Sequence, residues 1–394
     1  MTQNNECFLH VFNVQHGDSL LLEFPGNKFG VIDCKYHDSQ NTADDPPVLA
    51  YLKEKNIEHL EFICLSHPHL DHYHGLWKVC QYFSEKGRTF KYFIFPHIDL
   101  KVIAEAYETS SICRDELTKL YKYSQQLALD NYHNKRQLKC FRWIPFEPDF
   151  NLIPFLDLED MNIIKFSPVV EAVEKIKNDL SQNKKVNLNK ISMSWFLFFF
   201  NKQVKILFSG DAENYSWDRM FEIFENKKDI ENLKCDLIKI AHHGGKSSFS
   251  KALLEKITYN QSEGIKTSAV ISTGGTTRHP DKELLEELLN NNVNLYCTNK
   301  GPLCIPLHDN IKKIKYKHEE RLETLLKIKK KDREKQEKTY RKIKEKLNLK
   351  LKRNECSGSI KLKITSTKKI EVYYQEREIE CLYQQQVLTE NSTG

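Results

Sequence analysis

An apolar run of strand length, Glu61-Phe62-Ile63-Cys64-Leu65, leads straight into Ser66-His67-Pro68-His69-Leu70-Asp71-His72, three imidazoles and a carboxylate in six positions. A buried strand that ends this way points to a pocket at the end of a sheet, with the ligands on the loop that leaves the strand. On a tight loop closely spaced side chains can diverge, so His67 and His69 are expected to serve one cation while Asp71 and His72 face a second. Imidazole is a borderline ligand and carboxylate a hard one, so zinc, manganese or iron would each be accepted.

Further apolar runs end in the same kind of residue. Ile206-Leu207-Phe208-Ser209-Gly210-Asp211 sets an aspartate beyond a glycine that lets the backbone turn sharply. Such an anion can bridge two cations, whose mutual repulsion needs a negative ligand between them. Ile238-Lys239-Ile240-Ala241-His242-His243-Gly244-Gly245 ends in adjacent histidines, and Thr276-Thr277-Arg278-His279-Pro280 supplies one more. Four strand ends of this kind favour one shared site.

The remaining pattern supplies the frame. The first 35 residues alternate as a β-meander, and a helix is expected from Pro47, another from Gly75 to Phe83, and a strand at Tyr92–Phe95. Helical periodicity from about Asp99 to Tyr132 predicts an inserted helical cap. A second strand-rich half follows, with strands at Ile163–Pro168, Ser192–Phe200, Val204–Phe208, Leu237–Ala241 and Ala269–Ser272 and a helix at Lys282–Asn290. Two such halves with intervening helices predict an α/β fold, a four-layer αββα sandwich over residues 1–310. Beyond it, 311–353 is expected as a long basic helix and 354–394 as a β-hairpin with a mobile polar tail from about Gln384.

Charge is distributed unevenly. Of the net +6, the segment 311–353 alone holds 19 Lys plus Arg against 7 Asp plus Glu, so the rest of the chain is mildly acidic. No apolar run reaches membrane-spanning length, and the first residues lack the regions of a signal peptide, so a cytoplasmic protein without membrane contact is expected. The 11 scattered cysteines form no CxxC pair, which agrees with buried thiols in a reducing compartment.

His67-Pro68-His69-Leu70-Asp71-His72 matches the HxHxDH signature, and with it the chain resembles the metallo-β-lactamase superfamily. The other segments resemble one branch of it, the hydrolase domain of ComEC-type competence proteins and their soluble relatives. Val14-Gln15-His16-Gly17-Asp18-Ser19, Ile32-Asp33-Cys34-Lys35, Ser209-Gly210-Asp211-Ala212, Ile238 to Gly245 and His279-Pro280 follow that branch's motifs in order. Gln15 and Lys35 stand where the branch has glycine, and Gly245 where it has serine. The resemblance implies two divalent metal ions, zinc or manganese. His67, His69 and one of His242 and His243 would hold the first, Asp71, His72 and His279 the second, with Asp211 between them. Asp33 would orient the histidine loop, Asp18 would lie beside the site or on its substrate side, and His97 is a candidate for the ligand otherwise taken from the His242-His243 pair.

The implied chemistry is hydrolysis by a metal-activated water, with Asp71 positioning the nucleophile. The branch favours a phosphodiester in DNA, RNA or a small nucleotide, which the basic segment could help to bind. A different reading makes the chain one component of a multi-protein assembly, such as an antiphage defence system, with 311–353 docking a partner. A third is a small-molecule ester or lactone hydrolase with the helical insertion as a lid.

Overall fold

Alternation of side chains along the strands divides the core into three apolar layers, and this sets the order of the elements. The computed structural model describes residues 6–37, 43–85, 87–96, 98–107, 111–134, 139–143, 162–182, 184–199, 203–225, 233–260, 262, 264–274, 279–299, 358–374 and 377–378. The basic segment 311–353, the tail from Gln384 and His97 lie outside the described residues.

The first half runs β1 (Glu6–Val11), β2 (Leu20–Phe24), β3 (Lys28–Ile32), α1 (Pro47–Glu54), β4 (His59–Cys64), α2 (Leu70–Tyr73), α3 (Leu76–Phe83), β5 (Thr89–Pro96), α4 (Leu100–Tyr107), α5 (Ser111–Asn134) and β6 (Lys139–Trp143). In β2 to β5, Leu21, Val31, Ile63 and Phe93 face outward onto α1, α3, α4 and α5. Their neighbours Leu20, Leu22, Ile32, Phe62, Cys64 and Ile94 face inward onto the second sheet, as the two-residue period of a strand requires. Ile103, Ala104, Cys113, Leu117 and Leu120 are buried in the outer layer together with Val48, Val79 and Phe93. The helices expected as an inserted cap are therefore part of the sandwich, and their apolar stripes are spent on the sheet rather than on a lid.

The second half runs β7 (Asn162–Ser167), α6 (Val170–Ser181), a 3-10 turn (Leu188–Ile191), β8 (Ser194–Phe199), β9 (Val204–Phe208), α7 (Asn214–Glu225), β10 (Leu237–Lys239), α8 (Lys251–Ile257), β11 (Ser268–Ile271), α9 (Lys282–Asn290) and β12 (Asn294–Cys297). β8 is buried at every position. Trp195, Leu197 and Phe199 enter the layer between the sheets, while Phe196 and Phe198 pack with the Trp217, Leu254 and Leu285 helices outside. A strand covered on both faces explains why its sequence is continuously apolar.

The hairpin β13 (Ile360–Thr365) and β14 (Ile370–Tyr374), followed by β15 (Arg377–Glu378), joins the first sheet. β13 pairs antiparallel with β1 along its full length, from Glu6 opposite Thr365 to Val11 opposite Ile360. The sheet orders are β15-β14-β13-β1-β2-β3-β4-β5-β6 and β12-β11-β10-β9-β8-β7. The hairpin, expected beyond the sandwich of residues 1–310, is thus continuous with it, because Ile360, Leu362 and Ile364 bury in the layer between the sheets. Among the described residues no helix is long and apolar enough to cross a membrane.

Candidate metal centre

The parallel strands β3, β4, β9, β10 and β11 all end toward one edge of the sandwich, and their loops build the site. Asp33 follows β3 with a left-handed backbone (φ 56°). Its Oδ1 accepts from the Ser66 amide at 2.7 Å and its Oδ2 from the Ser66 hydroxyl at 2.6 Å. The same Oδ2 lies 2.8 Å from His72 Nδ1. A proton held on Nδ1 leaves Nε2 as the lone-pair nitrogen. His72 Nε2 is fully buried without a well-formed hydrogen bond, 3.4 Å from Asp211 Oδ1 and 3.9 Å from Asp71 Oδ1. Beside it, His67 Nε2 lies 2.9 Å from His69 Nδ1 and 3.7 Å from Asp211 Oδ2.

The loop after β1 closes one side. Gly17 has φ 137°, and a Cβ there would come within 2.6 Å of the Asp71 carbonyl oxygen. Only glycine permits this approach, which lets the Asp18 amide donate to that carbonyl at 3.0 Å. The buried Asp18 is answered by Lys239 at the end of β10, whose Nζ lies 2.9 Å from each carboxylate oxygen. Burial would raise the Asp18 carboxyl, but Lys239 and His243 hold it below its ordinary value. The pair ties a loop of the first sheet to a strand of the second. From the same loop, His16 Nε2 reaches to 3.3 Å from Asp71 Oδ2.

From the second sheet, Gly210 takes φ 49°, and a Cβ there would lie 2.3 Å from Ser192 Oγ. That hydroxyl accepts from the Asp211 amide at 2.8 Å, which fixes the carboxylate against His67 and His72. After β10, His242 (φ 48°) and His243 (φ 53°) are both left-handed. Two such non-glycine residues in succession are rare and are held only where surroundings over-determine them. Here they send adjacent rings apart. His243 is buried, donates from Nδ1 to the Ser272 carbonyl at 3.1 Å, and sets Nε2 3.2 Å from Asp71 Oδ2. His242 is 28% exposed, with Nδ1 3.7 Å from Glu213 Oε1 and 3.4 Å from Asn189 Nδ2.

Among the described residues, ligand atoms converge within 4.8 Å in four overlapping groups: His67, His69 and Asp211; His72, Asp211 and His243; His16, Asp71 and His243; Asp18, Asp33 and His72. Burial opposes charge on Asp71 and Asp211, yet His72 and the other imidazoles hold both carboxyls well below the usual range. Burial likewise opposes charge on His72, but Asp211, Asp33 and Asp71 outweigh it and raise that imidazole well above its ordinary value. Burial and the neighbouring His72 push His67 well below. One ring is drawn toward positive charge and the adjoining ring is denied it, a conflict that a cation among them removes. The donor set and the buried His72 Nε2, set toward Asp211 and Asp71 without a well-formed hydrogen bond, therefore fit divalent metal.

Several sequence expectations are redistributed. The structure brings His67, His69, Asp71, His72, Asp211 and His243 together and places Asp33 against His72 Nδ1. His243 is the inward member of the pair, but it lies with Asp71, His72 and Asp211 rather than with His67 and His69. His279, expected beside Asp71 and His72, is outside these groups; its ring centroid lies 5.8 Å from that of His242 and 6.4 Å from that of His16. His16 stands in the cluster instead, because the Gly17 turn brings the first loop onto Asp71. Its place between Gln15 and Gly17 in the opening motif was the available signal. Lys239, visible only as a polar residue inside an apolar run, is another contributor that sequence reasoning passes over, as are Ser192, Asn189 and Glu213.

Residues 13–130 match the family model described as Metallo-beta-lactamase superfamily. No curated protein matches the chain. A solved structure described as a new diphosphatase from the PhnP family aligns with 75% of this chain and 87% of that one, at 11% identity and a TM-score of 0.34, a likeness too distant to carry an argument. The two facing sheets between helical layers form an αββα sandwich of the metallo-β-lactamase kind, with the imidazole and carboxylate clusters at its strand ends, and the family match over 13–130 falls on the first of its two halves.

Proposed function

We propose that the chain is a metal-dependent phosphodiesterase acting on nucleic acid or a nucleotide. The observation that carries this reading is the division of Asp211, whose Oδ2 faces His67 and whose Oδ1 faces His72. One carboxylate shared by two ligand groups suits a pair of cations, zinc or manganese, with His67 and His69 on one side and Asp71, His72 and His243 on the other. Two bound cations would supply an acidified water and charge stabilisation at both the attacking and leaving oxygens of a displacement at phosphorus. The chain's own residues set the geometry. Asp33 and the Ser272 carbonyl orient His72 and His243, and Asp18 holds the Asp71 backbone. His242, steadied near Glu213, is the group we assign to protonate the leaving oxygen. The phosphodiester itself is favoured by the motif resemblance to the ComEC-type branch, supported by residues 14–19, 32–35, 209–212 and 238–245.

The test is a panel of single- and double-stranded nucleic acid and bis(p-nitrophenyl) phosphate, with protein loaded with manganese or zinc. Hydrolysis of at least one substrate, lost in Asp211→Ala, is expected. No hydrolysis anywhere, with Asp211→Ala indistinguishable, would remove the nuclease reading. The competing reading, a component whose segment 311–353 docks a protein partner, would be favoured if neutralising its lysines weakened a complex but left turnover unchanged.

A further inference from the structure

A lysine and a tyrosine stand together, one and two residues along from the Asn189 and Glu213 that neighbour His242. Tyr215, near the start of α7, is 45% exposed and is among the largest apolar surfaces the described residues leave open. Lys190, in the 3-10 turn before β8, holds its Nζ 5.3 Å from the centre of the Tyr215 ring. No carboxylate lies within ion-pairing distance of that ammonium among the described residues, so its charge is answered only by the π face.

Both residues are anchored one or two positions away to groups that touch the site. Asn189 Nδ2 is 3.4 Å from His242 Nδ1, and Glu213 Oε1 is 3.7 Å from the same nitrogen. Glu213 also accepts from Asn187 Nδ2 at 2.9 Å and from Asn189 Nδ2 at 3.2 Å. Asn187 in turn caps the 3-10 turn by accepting from the Asn189 amide. This network fixes the turn against the start of α7, so the Lys190–Tyr215 pair is a preset platform and not two loose surface side chains.

We infer that Lys190 and Tyr215 form a subsite for one nucleotide unit of the substrate, with its base on the tyrosine ring and a phosphate oxygen drawn to the ammonium. The proposal rests on the phosphodiesterase reading and narrows it. An exposed aromatic face accepts any base, and an adjacent unpaired ammonium accepts the charge that accompanies it. A simple alkyl phosphodiester offers the anion alone and would gain little from the ring.

Thymidine 5′-(p-nitrophenyl phosphate) and methyl p-nitrophenyl phosphate share a leaving group and differ in the nucleoside, so they isolate this subsite. With metal-loaded protein, Tyr215→Ala and Lys190→Ala are expected to raise KM for the thymidine ester about tenfold. Tyr215→Ala should leave kcat and both constants for the methyl ester close to wild type, Tyr215→Phe should restore the thymidine KM, and Lys190→Ala, which removes the contact to the phosphate common to the two esters, should raise KM for both. Equal KM for the thymidine ester in wild type and Tyr215→Ala, equal losses on both esters in Tyr215→Ala, or an unchanged KM for both esters in Lys190→Ala would overturn the subsite. Calorimetric binding of thymidine monophosphate separates this outcome from failure of the phosphodiesterase reading. Binding weakened in both variants supports the subsite even where neither ester is turned over. No binding by wild type, or binding unchanged in both variants, overturns it.

Discussion

The two ligand groups that share Asp211 are built differently. His67 and His69 leave a single strand end two residues apart, and with Asp211 they draw on two loops alone. The other joins His72, Asp211 and His243 to a neighbouring group of His16, Asp71 and His243, and so needs the β1 loop for His16, the one-turn helix α2 for Asp71 and His72, and the left-handed turn after β10 for His243. It opens only on its His16–Asp71 side, where the His16 side chain is about half exposed; His72 and His243 are as fully buried as His67. A local group is set by the short-range course of one loop; a dispersed one depends on how separate loops are pressed together. The second group should therefore be the more easily perturbed and the one adjusted to substrate.

The sharpest break of this comparison is Asp211→Asn. Because it removes the shared anion, both groups are expected to lose metal, with turnover falling about 1000-fold or more, each factor of ten being ~1.4 kcal/mol. His67→Ala should empty only its own group, and elemental analysis of the two variants separates these cases. Next comes Lys239→Met, which strands the buried Asp18 carboxylate. Removing one partner of a buried pair costs roughly 3–5 kcal/mol, to be read from urea unfolding, and Asp18→Asn combined with Lys239→Met should recover most of it. A smaller effect is expected for Asp33→Asn, which leaves every ligand in place but loosens His72; metal affinity should fall about 10- to 100-fold. The smallest contrast is His16→Ala against His279→Ala. The first should weaken metal binding about tenfold, near the lower end of that range, and the second should leave it almost unchanged. The reverse order in a competition titration with a chromogenic chelator would return His279 to the cluster.

The strand ends are legible in the sequence because each follows a run apolar enough to be buried, so the polar residues after it have to emerge at an edge. Helix α9 is read at its observed limits, Lys282–Asn290, because Asp281 caps it and its leucines keep the helical period. Assignment within the site is less legible. Whether His242 or His243 turns inward depends on the φ angles of a turn, and whether His16 or His279 reaches Asp71 depends on how closely one loop backbone can approach another. Neither has a local signature beyond the glycine at 17. Helix α7 is missed for another reason: Trp217 and Met220 pack the outer layer, but the aspartate just before them draws attention to chemistry. The pairing of β13 with β1 leaves no trace in either strand, since both alternate as any strand with one inward face would.

That pairing bears on how the chain is made. The β1 loop is fastened to the hairpin by the Asn13 amide and Ser359 hydroxyl, 346 positions apart at 3.1 Å. During synthesis β1 precedes the hairpin by some 346 positions, and the edge that β13 later covers stays unpaired until those residues have been made. An open strand edge invites pairing with other chains, and distant contacts form slowly. Chains truncated before Ile360 should therefore aggregate through the β1 edge even though they retain the His67–His72 motif, Asp211 and His243.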